Sequence, residues 1–275
     1  MRLGVSSSLC TASPAEWAGQ HKALGLKTVV FPLDSGASDS DIEAYVKAAK
    51  ENDLTIAEVG IWRNAISADA AEARKNLEYS IKQLILADKI GARCAVNVAG
   101  AYSGARWDGP AKDNFSKEAW AKTVKMVQTV IDEADVKNTF FSLEPMPWMV
   151  PTGPVEYLNL IEDVARDRFA VHMDIINMIN CPDRYFYCTE FLTECFELLG
   201  PHIRSCHLKD IRLEPEFTFR LTECACGEGS FDLETYARLA TEACPDMPMI
   251  IEHLHGDDEY VKSVEYVKGR LGKWM

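Results

Sequence analysis

Alternation constrains this chain more than any single motif. Short apolar or β-branched runs at 3–7, 28–32, 55–61, 94–98, 139–143, 169–173, 203–208 and 249–251 are separated by segments of helical period at 14–24, 39–52, 69–90, 115–136, 154–164, 189–199, 232–243 and 257–271. Strands that alternate with helices imply a parallel sheet, because a crossover helix returns the chain to the start of a parallel neighbour. Eight pairs in 275 residues make about 34 residues each, the size of a βα unit. Eight such units are expected to close into a single α/β (β/α)8 TIM barrel, one domain over residues 1–275.

Punctuation supports this reading. Gly25, Gly91 and Gly200 follow helical segments, where a left-handed cap is wanted, while Pro14, Pro154 and Asp39 stand at helix starts. The alternative, an open doubly wound sheet, wants a glycine-rich turn after the first strand, and Ser6-Ser7-Ser8-Leu9-Cys10 is not one. No apolar run approaches the ~20 residues that span a bilayer, and the first eight residues hold no apolar stretch of signal-peptide length. A net charge of −13, from 29 basic and 42 acidic residues, opposes binding to nucleic acid and to anionic membranes. Nine cysteines, an odd number in a chain long enough to bury its own core, are read as reduced thiols, which predicts a cytoplasmic location. Cys224-Ala225-Cys226 has no second pair or histidine at zinc-site spacing and is read as structural.

In a barrel of this kind the chemistry gathers at the carboxyl ends of the strands. The fifth expected strand ends Leu143-Glu144-Pro145, the sixth Met173-Asp174, the seventh His207-Leu208-Lys209-Asp210 and the eighth Ile251-Glu252-His253. The intervals from Glu144 to Asp174, to His207 and to Glu252 are 30, 33 and 45 residues, about one βα unit each. Four consecutive strands thus aim one donor each at a common point. Buried together, three carboxylates and an imidazole carry a high desolvation cost unless a cation compensates them. That donor set suits one divalent ion, Mn²⁺ first, with Mg²⁺, Co²⁺ or Zn²⁺ as substitutes. The charge left over leaves room for a neutral polyol. Lys209, two residues beyond His207, is expected on the same inner face and within reach of substrate.

The order Leu-Glu-Pro at 143–145, Asp174, His-Leu-Lys-Asp at 207–210, Gly-Glu-Gly at 227–229 with Asp232, and Glu252 resembles the xylose-isomerase-like barrel superfamily, which holds sugar isomerases and epimerases, inosose dehydratases and endonuclease IV. The resemblance implies that Glu144, Asp174, His207 and Glu252 bind the metal and that Glu144 and Glu252 double as the acid/base pair. A bound metal polarises a ketose carbonyl and acidifies the neighbouring C–H, so one carboxylate removes a proton and the other returns it. The leading expectation is a sugar or polyol isomerase or epimerase working through an enediolate. A lyase or dehydratase that expels a β-substituent from a keto-inositol or 3-keto-glycoside is the alternative, and an inactive carbohydrate-binding barrel the second.

Departures from the pattern narrow the choice. Many ketose epimerases carry a histidine three residues after the strand-six aspartate; Asn177 stands there, able to bind a hydroxyl but not to shuttle a proton. Endonuclease IV needs extra histidine ligands after early strands, where this chain has Ile61-Trp62 and Asn97. Trp62, Trp107 and Trp148 follow strands three, four and five and are expected to stack on a sugar face or an aglycone. His255 is expected to contribute to the substrate site and His253 to point outward; Arg106 and Arg212 are read as solvated. The expected partner is a small-molecule carbohydrate or polyol, with no nucleic acid and no membrane, and a homo-oligomer is left open.

Overall fold

Each of the eight apolar runs becomes a parallel strand. The computed structural model describes residues 1–7, 9, 13–104 and 106–275, so Ser8 and Cys10 of the first turn lie outside the described residues. The elements are β1 (Arg2–Val5), α1 (Pro14–Ala23), β2 (Thr28–Val30), α2 (Asp39–Glu51), β3 (Thr55–Gly60), α3 (Ala70–Ile90), β4 (Cys94–Asn97), α4 (Lys117–Ala134), β5 (Phe140–Leu143), α5 (Pro154–Val164), β6 (Phe169–Met173), α6 (Ile175–Met178), α7 (Pro182–Phe186), α8 (Cys188–Leu199), β7 (Ile203–Leu208), β8 (Asp210–Leu213), β9 (Leu221–Cys224), α9 (Leu233–Ala243), β10 (Pro248–Ile251) and α10 (Asp257–Leu271).

Eight of the strands form one sheet in the order β1-β10-β7-β6-β5-β4-β3-β2, with every pairing parallel. The two ends of that order meet, since the Lys27 amide donates to the Leu3 carbonyl at 2.8 Å. The result is a nearly closed TIM barrel with the long helices outside it. Helix starts are fixed by side chains that accept orphan amides. Ser13, Ser38, Asp69, Ser116 and Asp232 do this, so the cap beside Asp39 is Ser38 and Asp39 sits in the first turn. Gly25 and Gly91 are left-handed as expected. Gly200 instead stays right-handed and opens a short 3₁₀ turn through His202.

The largest departure lies between β7 and α9, where β8 and β9 pair as an antiparallel hairpin outside the barrel. It is held by Asp210, whose buried carboxylate accepts from the amides of Ile211, Gly227, Gly229 and Phe231 at 2.8–3.1 Å. The Gly-Glu-Gly segment is thus folded around an anion. Among the described residues, no helix is long and apolar enough to cross a membrane. The eight described cysteines are free, and Cys224 and Cys226 join no cluster of metal-type donors.

Candidate metal centre

Side chains alternate across a strand, so β7 sends Ser205 and His207 inward, and the same parity brings Lys209 in just beyond its end. Glu144, Asp174 and Glu252 each follow the last residue of β5, β6 and β10. Two tyrosines from the outer helices fix those strand ends. The Tyr157 hydroxyl lies 2.5 Å from the Leu143 carbonyl, and the Tyr236 hydroxyl lies 3.0 Å from the carbonyls of both Met173 and His207. Three of the four donor residues are therefore held at the peptide next to them or at their own.

The four donors converge. His207 Nδ1 lies 3.0 Å from Glu252 Oε1, 3.2 Å from Glu144 Oε1 and 3.5 Å from Asp174 Oδ2, and one donor atom from each residue falls within 4.8 Å of the others. All four side chains are buried. Asp174 Oδ2 pairs with the Lys209 ammonium at 2.7 Å and accepts no hydrogen bond. Mostly hard oxygen donors with one imidazole, closely spaced and one of them without a hydrogen bond, fit a divalent cation.

Lys209 lies among carboxylates. Only 2% exposed, it sits behind the donors rather than on the cavity wall, and its ammonium contacts Asp174 and Glu252 at 2.7 Å and Glu223 at 3.0 Å. Burial alone lowers its pKa, but these carboxylates raise it well above the usual lysine range. His207 is raised in the same way, burial being outweighed by Glu252 and Glu144.

Among these groups the two glutamates part company. Burial, with Glu252 and Asp174 nearby, lifts Glu144 well above the usual carboxyl range despite the opposing His207. Burial also acts to raise Glu252, but His207 and Lys209 overcome it and pull that carboxyl down. Asn177 donates from Nδ2 to Glu144 Oε1 at 3.0 Å, while its amide donates to Asp174 Oδ1 at 3.0 Å.

A cavity of about 960 Å³ opens above the donors, and Glu144, His207, Glu252, Asn177, Trp62, Trp107 and Trp148 all line it. Trp62 reaches it by folding its indole across Gly60, where a Cβ would stand 2.3 Å from Nε1. His255 does not line this cavity. It is exposed in a separate recess with Arg212 and Glu259, because the chain turns at His253 (φ +58°) and Gly256 (φ +90°) on its way into α10. The same turn defeats the strand alternation expected of His253, which swings to the mouth of the site and meets Glu223 at 2.8 Å. Arg106 lines the cavity with its guanidinium paired to Asp108.

Sequence reading missed Glu58, His172 and Glu223. Glu58, on β3 and 1% exposed, places Oε1 3.4 Å from His172 Nδ1 and Oε2 3.7 Å from His207 Nε2. Both separations exceed hydrogen-bond length, and Glu58 Oε1 and His172 Nε2 have no partner. His172 itself meets Ser205 Oγ at 2.6 Å and lies edge-on to His207. The signal was a carboxylate and an imidazole inside apolar runs. Glu223 was hidden because the hairpin that carries it was read as loop.

The model of the xylose isomerase-like TIM barrel family matches residues 20–270. No curated protein matches the chain. Solved structures do. Endonuclease IV from Thermus thermophilus superposes with a TM-score of 0.75 at 15% identity, over 99% of this chain and 100% of that one. The probable 3-DHS dehydratase AsbF from Bacillus anthracis gives 0.74 at 15%, over 98% and 100%. An L-ribulose 3-epimerase gives 0.71 at 18%, over 99% and 94%. At such identities the likeness is one of fold.

Proposed function

The chain belongs to the xylose isomerase-like TIM barrel family, and from that premise we propose a divalent-metal-dependent sugar or polyol isomerase or epimerase, with Mn²⁺ as its ion and an enediolate as its intermediate. The observation that carries this reading is the pair Glu144 and Glu252. They rise from non-adjacent strands and face one cavity from either side of His207. Two carboxyls placed on different sides of one bound substrate supply the acid and the base that proton transfer needs. Solved structures of the same fold include an L-ribulose 3-epimerase and a probable 3-DHS dehydratase.

In this reading Glu144, Asp174, His207 and Glu252 hold the ion, which when bound supplies Lewis acidity to a substrate carbonyl. Glu252, 2.7 Å from the Lys209 ammonium, removes the proton from the carbon beside that carbonyl. Glu144, on the other side of His207, returns a proton to the opposite face. Asn177 orients Glu144 through its Nδ2 bond and presents its amide edge to a hydroxyl. Trp62, Trp107 and Trp148 stack on the substrate from the rim.

A second reading, a lyase or dehydratase that expels a β-substituent, uses the same base. It is favoured by Asn177, which cannot shuttle a proton. Incubating the Mn²⁺-loaded protein in D₂O with a panel of ketoses, inososes and 3-keto-glycosides tests both. Deuterium entering beside the carbonyl without loss of a substituent is the expected result. Elimination products favour the lyase, and the absence of exchange and turnover across the panel leaves only a binding protein.

A further inference from the structure

The cavity is larger and more divided than one sugar ring requires. Its volume of about 960 Å³ stands at the upper end of the ~300–1,000 Å³ that buries drug-sized ligands. The donors and Asn177 occupy its floor, while Trp62, Trp107, Trp148, Met146, Phe219 and Leu221 make much of its upper wall. Phe219 and Leu221 come from the β8–β9 hairpin segment, so this apolar half is built partly by an element outside the barrel. Trp107 and Phe219 remain 40% and 37% exposed. Such rings at the mouth of a site gain by covering an apolar face.

Charge divides the cavity as well. Glu58, Asp108, Glu144, Glu223 and Glu252 line it, and among the described lining residues Arg106 is the sole lysine or arginine. Its guanidinium is held by Asp108 at 3.1–3.2 Å. Away from the ion, a phosphate would find no unpaired lysine or arginine on the cavity wall and would face Asp108 and Glu223 instead, a like-charge arrangement that selects against it.

We propose that the ligand is a neutral carbohydrate bearing a ring-sized apolar substituent, an aryl glycoside in chemical class, rather than a free or phosphorylated monosaccharide. The sugar ring lies on the polar floor and the aglycone between the tryptophans and Phe219. This rests on the reading of the floor as a sugar-handling metal site. It adds that the carbonyl beside which Glu144 and Glu252 act is a ketone within the ring, since C1 is tied up in the glycosidic bond.

Matched methyl and phenyl β-D-pyranosides of the gluco, galacto and xylo series, titrated calorimetrically into the Mn²⁺-loaded full chain, test the proposal without turnover. In at least one series the phenyl glycoside is expected to bind about tenfold tighter than its methyl partner, about 1.4 kcal/mol. Glucose 6-phosphate should bind more weakly than glucose. Phe219→Ala, at an exposed hairpin position, should cut the phenyl preference to about threefold or less. Equal affinities within every pair, no binding by any glycoside, phenol binding as tightly as the phenyl glycosides, tighter binding of the phosphate ester, or an unchanged preference in Phe219→Ala would each overturn it. Deuterium exchange that persists while the phenyl preference is absent refutes this proposal alone; a preference without exchange refutes the isomerase reading and leaves this one standing.

Discussion

Glu144 and Glu252 have the same side chain, and what separates them is what each one touches. Glu144 accepts from Asn177 and faces two other carboxylates, whereas Glu252 is 2.7 Å from the Lys209 ammonium. Replacing either with Gln keeps the shape and removes the proton-transfer group, so turnover per bound ion should fall by about 10²–10⁴; metal content measured on the same samples separates this from loss of the ion, and near-normal turnover per ion would remove the paired roles. Glu58 should act differently. Its carboxylate is the group facing Nε2 of His207, the nitrogen turned away from the donors. Carboxylates in that position orient a ligand imidazole, and their loss weakens metal binding by about 10–100-fold. Glu58→Gln is therefore expected to raise the Mn²⁺ dissociation constant in a chelator competition, and an unchanged constant would make Glu58 a bystander. The convergence of these four side chains was legible in the sequence because each stands at or just past the carboxyl end of an apolar run. Glu58 and His172 were not, because each sits inside such a run, and only the closed barrel reveals that β3, β6 and β7 bring Glu58, His172 and His207 together.

Elements show the same division. The eight barrel strands and their long helices were legible because periodicity changes from 2 to 3.6 at each boundary and Ser, Asp, Pro and Gly mark the ends. The β8–β9 hairpin was not. Its strands are four residues each, with apolar alternation limited to Ile211 and Leu213 in one and Leu221 in the other, too short to stand out from a loop. Four amide hydrogen bonds at its base converge on one buried carboxylate. Asp210→Ala leaves four amides without their acceptor and should destabilise the protein by about 3 kcal/mol or more, given ~1.5–3 for a hydrogen bond to a charged group. Amide exchange should accelerate at Gly227, Gly229 and Phe231 first, and unchanged protection there would show that the hairpin is held by other contacts. The sequence places Lys209 on the inner face two residues beyond His207, while its third carboxylate, Glu223, comes from the hairpin that the sequence concealed.

Across the whole molecule, the barrel collects negative charge at one end of its core. Glu144, Asp174, Glu223 and Glu252 surround one lysine and one histidine, an arrangement that a bound dication relieves. An ion at 100 times its dissociation constant adds about 2.7 kcal/mol, which for a chain of this size raises Tm by roughly 5–10 °C. Thermal denaturation with EDTA and then with excess Mn²⁺ should show that rise, and coincident melting curves would deny the ion a role in the native state. The fold was legible at this scale because eight-fold alternation admits few topologies, while the depth of the cavity was not, since it depends on where Trp62, Trp107, Trp148 and the hairpin come to rest. The claim on which the functional account stands is that Glu144, Asp174, His207 and Glu252 together hold one divalent ion. Elemental analysis of the Mn²⁺-loaded, desalted protein and of its His207→Ala variant tests it most directly. The account predicts about one ion per chain in the former and little in the latter; a native chain that retains none, or a variant that retains a full complement, would contradict it.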